Sequence, residues 1–236
     1  MKISAYTVVR KGERFIEAMI EHIIPYVDEL VINVSPSEDN TMEIIAKKTA
    51  MYPDKIKIYQ NTEYDAIPTP RGRRWFEEHY LRNWTKNKCK GDWIIQQDVD
   101  EFYDEEFLKK MREILSETKH EGLFFPKLNF WKDMKTVRVD GDWSPDTGGV
   151  KIFKNEPSIG YTGGMHCTVW GDFGKTRFES TLENLFVQYP ILHFARVIKK
   201  DIDEEGSPEM LDETKLKTVV YNKELPKAVE LINVKN

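Results

Sequence analysis

The first half of the chain alternates segments typical of strands with segments typical of helices. Strand-like runs cover residues 3–9, 29–35, 55–60 and 92–97, and helical periodicity marks residues 13–24, the segment after Thr41 and about 75–88. Strands separated by helices pair most readily in a parallel sheet, because each helix carries the chain back across one face of that sheet. The sequence therefore predicts an α/β fold, with a Rossmann-like, mostly parallel sheet flanked by helices.

The second half has a different pattern. After a helix around residues 107–115, the runs "GLFFPKLNFW", "VKIFKN" and "ILHFAR" read as strands separated by loops rich in Gly, Asp and Trp. We predict one domain over residues 1–206, made of a first half (1–105) and a mixed, β-rich second half (106–206). The charged tail, residues 207–236, has apolar residues at helical spacing and is predicted to be a helical appendage.

Composition narrows the class of protein. The chain has 236 residues, 40% of them hydrophobic, and a net charge of −5. This balance is typical of a globular protein and argues against a general basic field for nucleic acid or anionic membranes. Two cysteines imply no disulfide framework, and no apolar run reaches the ~18 residues of a membrane span, so we expect a cytoplasmic protein.

Three carboxylates crowd the end of the fourth predicted strand. Asp98, Asp100 and Glu101 follow the apolar run at 93–95. Carboxylates two residues apart can share a hard cation such as Mg²⁺ or Mn²⁺, but they can equally belong to an acidic turn that begins the next helix. In a parallel α/β sheet, ligands bind beyond the carboxyl ends of the strands, so we expect these acids to meet the turn at 10–13 and the loop at 35–41.

The order of these segments resembles glycosyltransferase family 2, the nucleotide-sugar transferases of GT-A fold. The resemblance covers about residues 1–105 and continues more loosely through "IGYTGGMH" and "ILHFAR". The matching positions are Val9-Arg10, Glu13, Asp28-Glu29, Ser37, Asp39, Thr41, Arg82-Asn83, Asp92-Trp93 and Asp98-Val99-Asp100-Glu101. It implies that the first half binds the nucleotide sugar and the second half the acceptor.

The resemblance also implies a metal centre. Asp100 would ligate Mn²⁺ or Mg²⁺, Asp98 would support the ribose or the metal's waters, and Glu101 would lie beside the sugar or orient the site. His193 in "ILHFAR" would complete the metal shell with an imidazole nitrogen. The alternative for His193 is a histidine packed in the core.

A second group of residues is implied for the donor, which would be a UDP-sugar. Asp39 would accept from the base, although a helix-initiating turn would explain the same residue. Val34 stands where the family usually has a further aspartate. The remaining donor-binding candidates are Val9, Arg10, Glu13 and Arg82, with Arg71 and Arg74 in "PTPRGRRWFEEHY" as diphosphate ligands or as part of a solvated surface.

The catalytic base departs from the family pattern. Many relatives have Gly-x-x-His-Glu, whereas this chain has His166-Cys167. An inverting transfer needs a group that deprotonates the acceptor hydroxyl, and the candidates are Asp146, Asp142 and His166. The loop "DGDWSPDTGG" that carries both aspartates could also be a simple hairpin turn.

The leading hypothesis is a metal-dependent, inverting glycosyltransferase. A nucleotidyltransferase and a catalytically silent nucleotide- or sugar-binding module are the alternatives. The sequence leaves the acceptor open among glycans, lipid-linked sugars, proteins, small molecules and modified nucleic acids.

Overall fold

The fold is described from a computed structural model. It describes residues 1–60, 78–141, 144–145, 148–162, 168–170, 184–197 and 216–232. In chain order the elements are β1 (Ile3–Val9), α1 (Ile16–Ile23), β2 (Glu29–Val34), α2 (Thr41–Met51), β3 (Ile56–Gln60), α3 (Glu78–Lys86), β4 (Trp93–Gln96), β5 (Glu101–Tyr103), α4 (Glu105–Glu117), β6 (Gly122–Phe125), β7 (Lys127–Trp131), β8 (Thr136–Arg138), β9 (Gly149–Lys154), β10 (Gly160–Thr162), β11 (Thr168–Trp170), β12 (Asn184–Phe186), β13 (Ile191–Arg196), β14 (Thr218–Val220) and a 3₁₀ helix (Lys227–Leu231).

The larger sheet contains the predicted parallel core. Its strand order is β12-β6-β9-β4-β1-β2-β3. The neighbours β4, β1, β2 and β3 all run parallel, while β9 is antiparallel to both β4 and β6. The predicted α/β fold with a mostly parallel sheet is therefore confirmed.

Helix α1 forms where the sequence has apolar residues at helical spacing. Ile16, Met19, Ile20 and Ile23 recur at helical spacing, and all four are fully buried against the sheet. The helix begins at Ile16 rather than at the predicted Glu13, because Phe15 and Ile16 donate their backbone N–H groups to the carbonyl of Gly12 in a preceding turn. Glu13 therefore lies before the helix, where its carboxylate accepts from the backbone N–H of Asn40 in the neighbouring loop.

A second sheet has five strands among the described residues. Its order is β14-β8-β7-β13-β5, with β5 antiparallel to β13 and β13 parallel to β7. The chain leaves β4 in the large sheet, passes through residues 97–100, and enters β5 in the small sheet at once. The acidic segment therefore lies at the junction of the two sheets.

The prediction of a helical tail is not confirmed. Thr218–Val220 form strand β14, which pairs antiparallel with β8, and a short 3₁₀ helix follows at Lys227–Leu231. Two adjacent β-branched valines suit a strand, and β8 offers a free edge for pairing. Val229 and Ile232 pack into the main hydrophobic core. Residues 207–215 lie outside the described residues.

Candidate active site

Three loops meet around one open cavity of about 770 Å³ at the carboxyl ends of the parallel strands. The turn after β1 contributes Arg10 and Glu13, the loop after β2 contributes Asp39, and the segment after β4 contributes Asp100. Arg196, at the end of β13, closes the other side. The structure thus brings together the three segments that the sequence predicted to converge.

Glu13 and Asp39 join the first two loops to each other. The backbone N–H of Glu13 donates to Oδ2 of Asp39 at 3.2 Å, and the backbone N–H of Asn40 donates to Oε2 of Glu13 at 3.0 Å. Oδ1 of Asp39 also accepts from the hydroxyls of Ser37 at 2.6 Å and Thr41 at 2.7 Å. Partial burial raises the pKa of Asp39, but these hydrogen bonds outweigh it, and the net shift is downward. Asp39 therefore shapes the loop at the start of α2, and its contact with the base stays a prediction.

The acidic segment itself is held from two sides. Nε2 of Gln97 donates to the carbonyl oxygens of Asp98 at 2.9 Å and Glu101 at 2.6 Å. From β13, the backbone N–H of Phe194 donates to the carbonyl of Asp100 at 2.8 Å. Because these contacts fix the backbone of the segment, each of its carboxylates has a defined direction.

The carboxylate of Asp98 contacts two positively charged side chains. Its Oδ1 lies 2.9 Å from Nη1 of Arg82 in α3, and its Oδ2 lies 2.8 Å from Nζ of Lys151 in β9. Nε2 of Gln96 also donates to Oδ2, at 3.1 Å. Burial raises the pKa of Asp98, but the charges of Arg82 and Lys151 outweigh it and hold that pKa well below its usual range. Both carboxylate oxygens of Asp98 thus already have protein partners.

Glu101 is also engaged by lysines. Its side chain is only 2% exposed, with Oε1 at 2.8 Å from Nζ of Lys127 and Oε2 at 2.7 Å from Nζ of Lys151. Arg82, Asp98, Lys151, Glu101 and Lys127 therefore alternate in sign along one continuous row, which we call the charge chain. Neither lysine was predicted as a site residue from the sequence, although Lys127 begins strand β7 and Lys151 lies between apolar residues in β9.

Asp100 faces a histidine instead. Its Oδ2 lies 3.5 Å from Nε2 of His193, while Nδ1 of His193 lies 2.7 Å from Oδ1 of Asn129. Since an amide oxygen only accepts, Nδ1 carries a proton, and Nε2 is the nitrogen that faces Asp100. Burial raises the pKa of Asp100, but the charge and hydrogen bonding of His193 outweigh it, and the net shift is downward.

Asp100 and His193 could hold a divalent cation. Asn129 orients the imidazole so that an unprotonated Nε2 would point its lone pair toward the carboxylate, an arrangement common among metal-binding histidines. Within the described ranges, His, Cys, Asp and Glu form no group of three or more suited to a metal. A cation at this pair would take its other ligands from a bound phosphate and water, as Mg²⁺ usually does.

The other predicted site residues are distributed as follows. Val9 is buried at the end of β1, and Arg10 is exposed at the cavity. Five candidates lie outside the described residues: Arg71, Arg74, Asp142, Asp146 and His166.

Residues on both sides of Asp146 belong to the part of the chain that the structure describes. The carbonyl of Pro145 accepts from the backbone N–H of Lys127 at 3.2 Å. Gly148 lies so close to the carbonyl of Phe125 that a Cβ at this position would overlap it. The two ends of this loop are therefore attached next to Lys127, whose side chain reaches Glu101.

Comparison with known structures agrees with this architecture. Staphylococcus aureus TarS 1-349 in complex with UDP-GlcNAc superposes with a TM-score of 0.51 at 16% identity, over 83% of this chain and 59% of that one. Two further structures superpose with lower scores. TarS 1-349 in complex with UDP has a TM-score of 0.45 at 17% identity, over 66% of this chain and 47% of that one. Mycobacterium tuberculosis glucosyl-3-phosphoglycerate synthase in complex with Mn²⁺, UDP and phosphoglyceric acid has a TM-score of 0.36 at 18% identity, over 56% of this chain and 43% of that one. The chain spans about half the length of these proteins.

In the part of the chain that the structure describes, no helix has the length and apolar character needed to cross a membrane.

Sequence comparison identifies the family. No curated protein matches the chain. The family model for beta-1,4-N-acetylgalactosaminyltransferase (CgtA) matches residues 2–143, more than half of the chain. The chain therefore belongs to the CgtA family of glycosyltransferases, and its GT-A fold is the one that the sequence predicted.

Proposed function

We propose that this protein transfers a sugar from a UDP-sugar to an acceptor hydroxyl with the help of a divalent cation. One observation carries the proposal. Asp100, whose carboxylate faces His193 at 3.5 Å, lines the same cavity as the loops after β1 and β2, at the carboxyl ends of the parallel strands. In open α/β sheets this is where nucleotides bind.

The donor sugar is proposed from the family. The family name specifies an N-acetylgalactosaminyl group and a β-linkage, so we propose an N-acetylhexosamine donor. UDP-linked N-acetylhexosamines carry the nucleotide in the α configuration. Formation of a β-linked product from such a donor inverts the anomeric centre, which agrees with the predicted inverting reaction.

Asp100 and His193 are the residues proposed to hold Mn²⁺ or Mg²⁺. The ion, when bound, would neutralise charge that develops on the UDP leaving group. Asn129 would keep Nε2 of His193 directed at the ion through its contact with Nδ1. Arg10, at the rim of the same cavity, is placed to attract the diphosphate.

Glu101 is proposed to orient the site rather than to touch the sugar, because its carboxylate is buried between Lys127 and Lys151. Asp98, paired with Arg82 and Lys151, would act in the same way. These two assignments narrow the roles that the resemblance implied for both residues.

The catalytic base is proposed to be Asp146, with Asp142 and His166 positioning the acceptor or donor. The attachment of Pro145 and Gly148 beside Lys127 supports a loop that borders the site. An inverting base must reach the acceptor hydroxyl at roughly 2.6–3.2 Å or through one water. The acceptor half would then be residues 106–206 and the donor half residues 1–105, as the sequence analysis predicted.

A panel of UDP-sugars tests the proposal without knowledge of the acceptor. With Mn²⁺ present, we expect slow release of UDP from an N-acetylhexosamine donor, and little release after Asp100→Ala. Asp54→Ala, an exposed aspartate just before β3 at the opposite end of the sheet, should behave as wild type. UDP binding without release from any donor would favour a silent binding module. Release of pyrophosphate from a nucleoside triphosphate would favour a nucleotidyltransferase.

A further inference from the structure

The charge chain contains more positive than negative charge. Arg82, Lys151 and Lys127 alternate with only two carboxylates, Asp98 and Glu101, at N···O distances of 2.7 to 2.9 Å. The five side chains come from α3, β9, β7, β5 and the segment between β4 and β5. Lys151 occupies the middle and bridges the two carboxylates. It therefore contacts the carboxylates on both sides of Asp100 in the sequence, those of Asp98 and Glu101.

Lys151 determines how many carboxylates of this segment can turn toward a cation in the cavity. Three carboxylates lie within four residues, and a nearby divalent cation would attract all of them. Lys151 draws Oδ2 of Asp98 and Oε2 of Glu101 toward β9, while Asp100 faces His193. Of the three carboxylates of this segment, Asp100 alone then lines the cavity.

Stability alone is a weak reason for this arrangement. Buried ion pairs are often no more stabilising than apolar side chains of the same volume, because removing both charges from water is costly. Ile152 and Phe153, the next two residues of β9 after Lys151, are fully buried apolar residues. A lysine among them is better explained by the two carboxylates that it engages.

We propose that Lys151 is a positioning residue: it holds Asp98 and Glu101 away from the cation held by Asp100 and His193, and so limits the negative charge there. This inference rests on the proposed function. A centre with one carboxylate binds its cation less tightly but repels the donor's diphosphate less, which favours entry of the donor and departure of UDP.

The test is titration of Mn²⁺ in the absence of nucleotide, combined with donor hydrolysis. For Lys151→Met we expect the Mn²⁺ dissociation constant to fall several-fold, because a cation is removed and two carboxylates are released. Hydrolysis should fall at least tenfold. Lys151→Arg keeps the charge and should restore both values toward wild type. Lys154→Met, in the same strand but outside the charge chain, should change neither.

The outcomes separate the two proposals. A folded Lys151→Met variant that binds Mn²⁺ with equal or lower affinity overturns this inference. If that variant does not fold, Lys127→Gln decides, because Lys127 is 25% exposed and its loss releases only one oxygen of Glu101. Tighter Mn²⁺ binding by Lys127→Gln supports the inference, and unchanged or weaker binding refutes it. If wild type neither binds Mn²⁺ nor hydrolyses a donor, the proposed function itself fails.

Discussion

His22 makes the stability of the fold depend on pH in a predictable way. It lies in α1, is 4% exposed, and its Nε2 is 2.9 Å from the carbonyl oxygen of Tyr103. Burial lowers the pKa of His22 from 6.5 to about 4, and the hydrogen bond to Tyr103 only partly opposes that shift. Between these values the unfolded chain binds a proton that the folded protein does not. The free energy of unfolding must therefore fall as the pH falls from about 7 to about 4.

The magnitude follows from the two pKa values. A shift of one pKa unit corresponds to about 1.4 kcal/mol, so the full effect of His22 is about 3 kcal/mol, reached near pH 4. Between pH 7.5 and pH 5 the same two values give a loss of about 2 kcal/mol. That is a large part of the ~5–15 kcal/mol that stabilises a typical domain.

The assay is urea denaturation at pH 7.5, 6 and 5 for wild type and His22→Gln, a variant that can still donate to the Tyr103 carbonyl but cannot titrate. Wild type should lose about 2 kcal/mol more than the variant between pH 7.5 and pH 5. If wild type and His22→Gln lose stability in parallel, His22 is not buried as a neutral imidazole and the reasoning fails.

Two further predictions concern the loop of the proposed base. Gly148→Ala should lower transfer, because the added Cβ overlaps the Phe125 carbonyl, while UDP binding measured by calorimetry is retained. Gly149 has open space around it, so Gly149→Ala should transfer at a near-normal rate. Equal transfer by both glycine variants would show that this attachment does not matter. Asp146→Asn should cut transfer by roughly 10²–10⁴-fold with donor binding intact, as expected for loss of a general base. Near-normal transfer by both Asp146→Asn and His166→Ala would point to a retaining reaction or to a base elsewhere.

The parallel core was predictable because burial there leaves a direct mark on the sequence. β1, β2 and β4 are almost wholly buried, and short runs of apolar and β-branched residues such as theirs are typical of strands covered on both faces. The convergence of three loops on one cavity followed from the rule that parallel strands end at the same edge of a sheet. Long-range contacts were not needed for either prediction.

The second sheet and the charge chain were not predictable, because both depend on contacts between distant residues. Glu101–Tyr103 follows a turn and precedes a helix, and it becomes strand β5 only because β13, about 90 residues later, pairs with it. The pairing of Lys151 with Asp98 and Glu101 likewise depends on β9 lying antiparallel to β4. Local patterns contain no information on either partner.

The central claim, a cation-assisted UDP site at Asp100 and His193, is tested most directly by calorimetric titration of UDP with and without Mn²⁺. We expect Mn²⁺ to tighten UDP binding to wild type and to Asp54→Ala. Asp100→Ala should lose that tightening, and His193→Ala should weaken Mn²⁺ binding at neutral pH without lowering the melting temperature. UDP affinity and Mn²⁺ response that remain at the wild-type level in Asp100→Ala would contradict the claim.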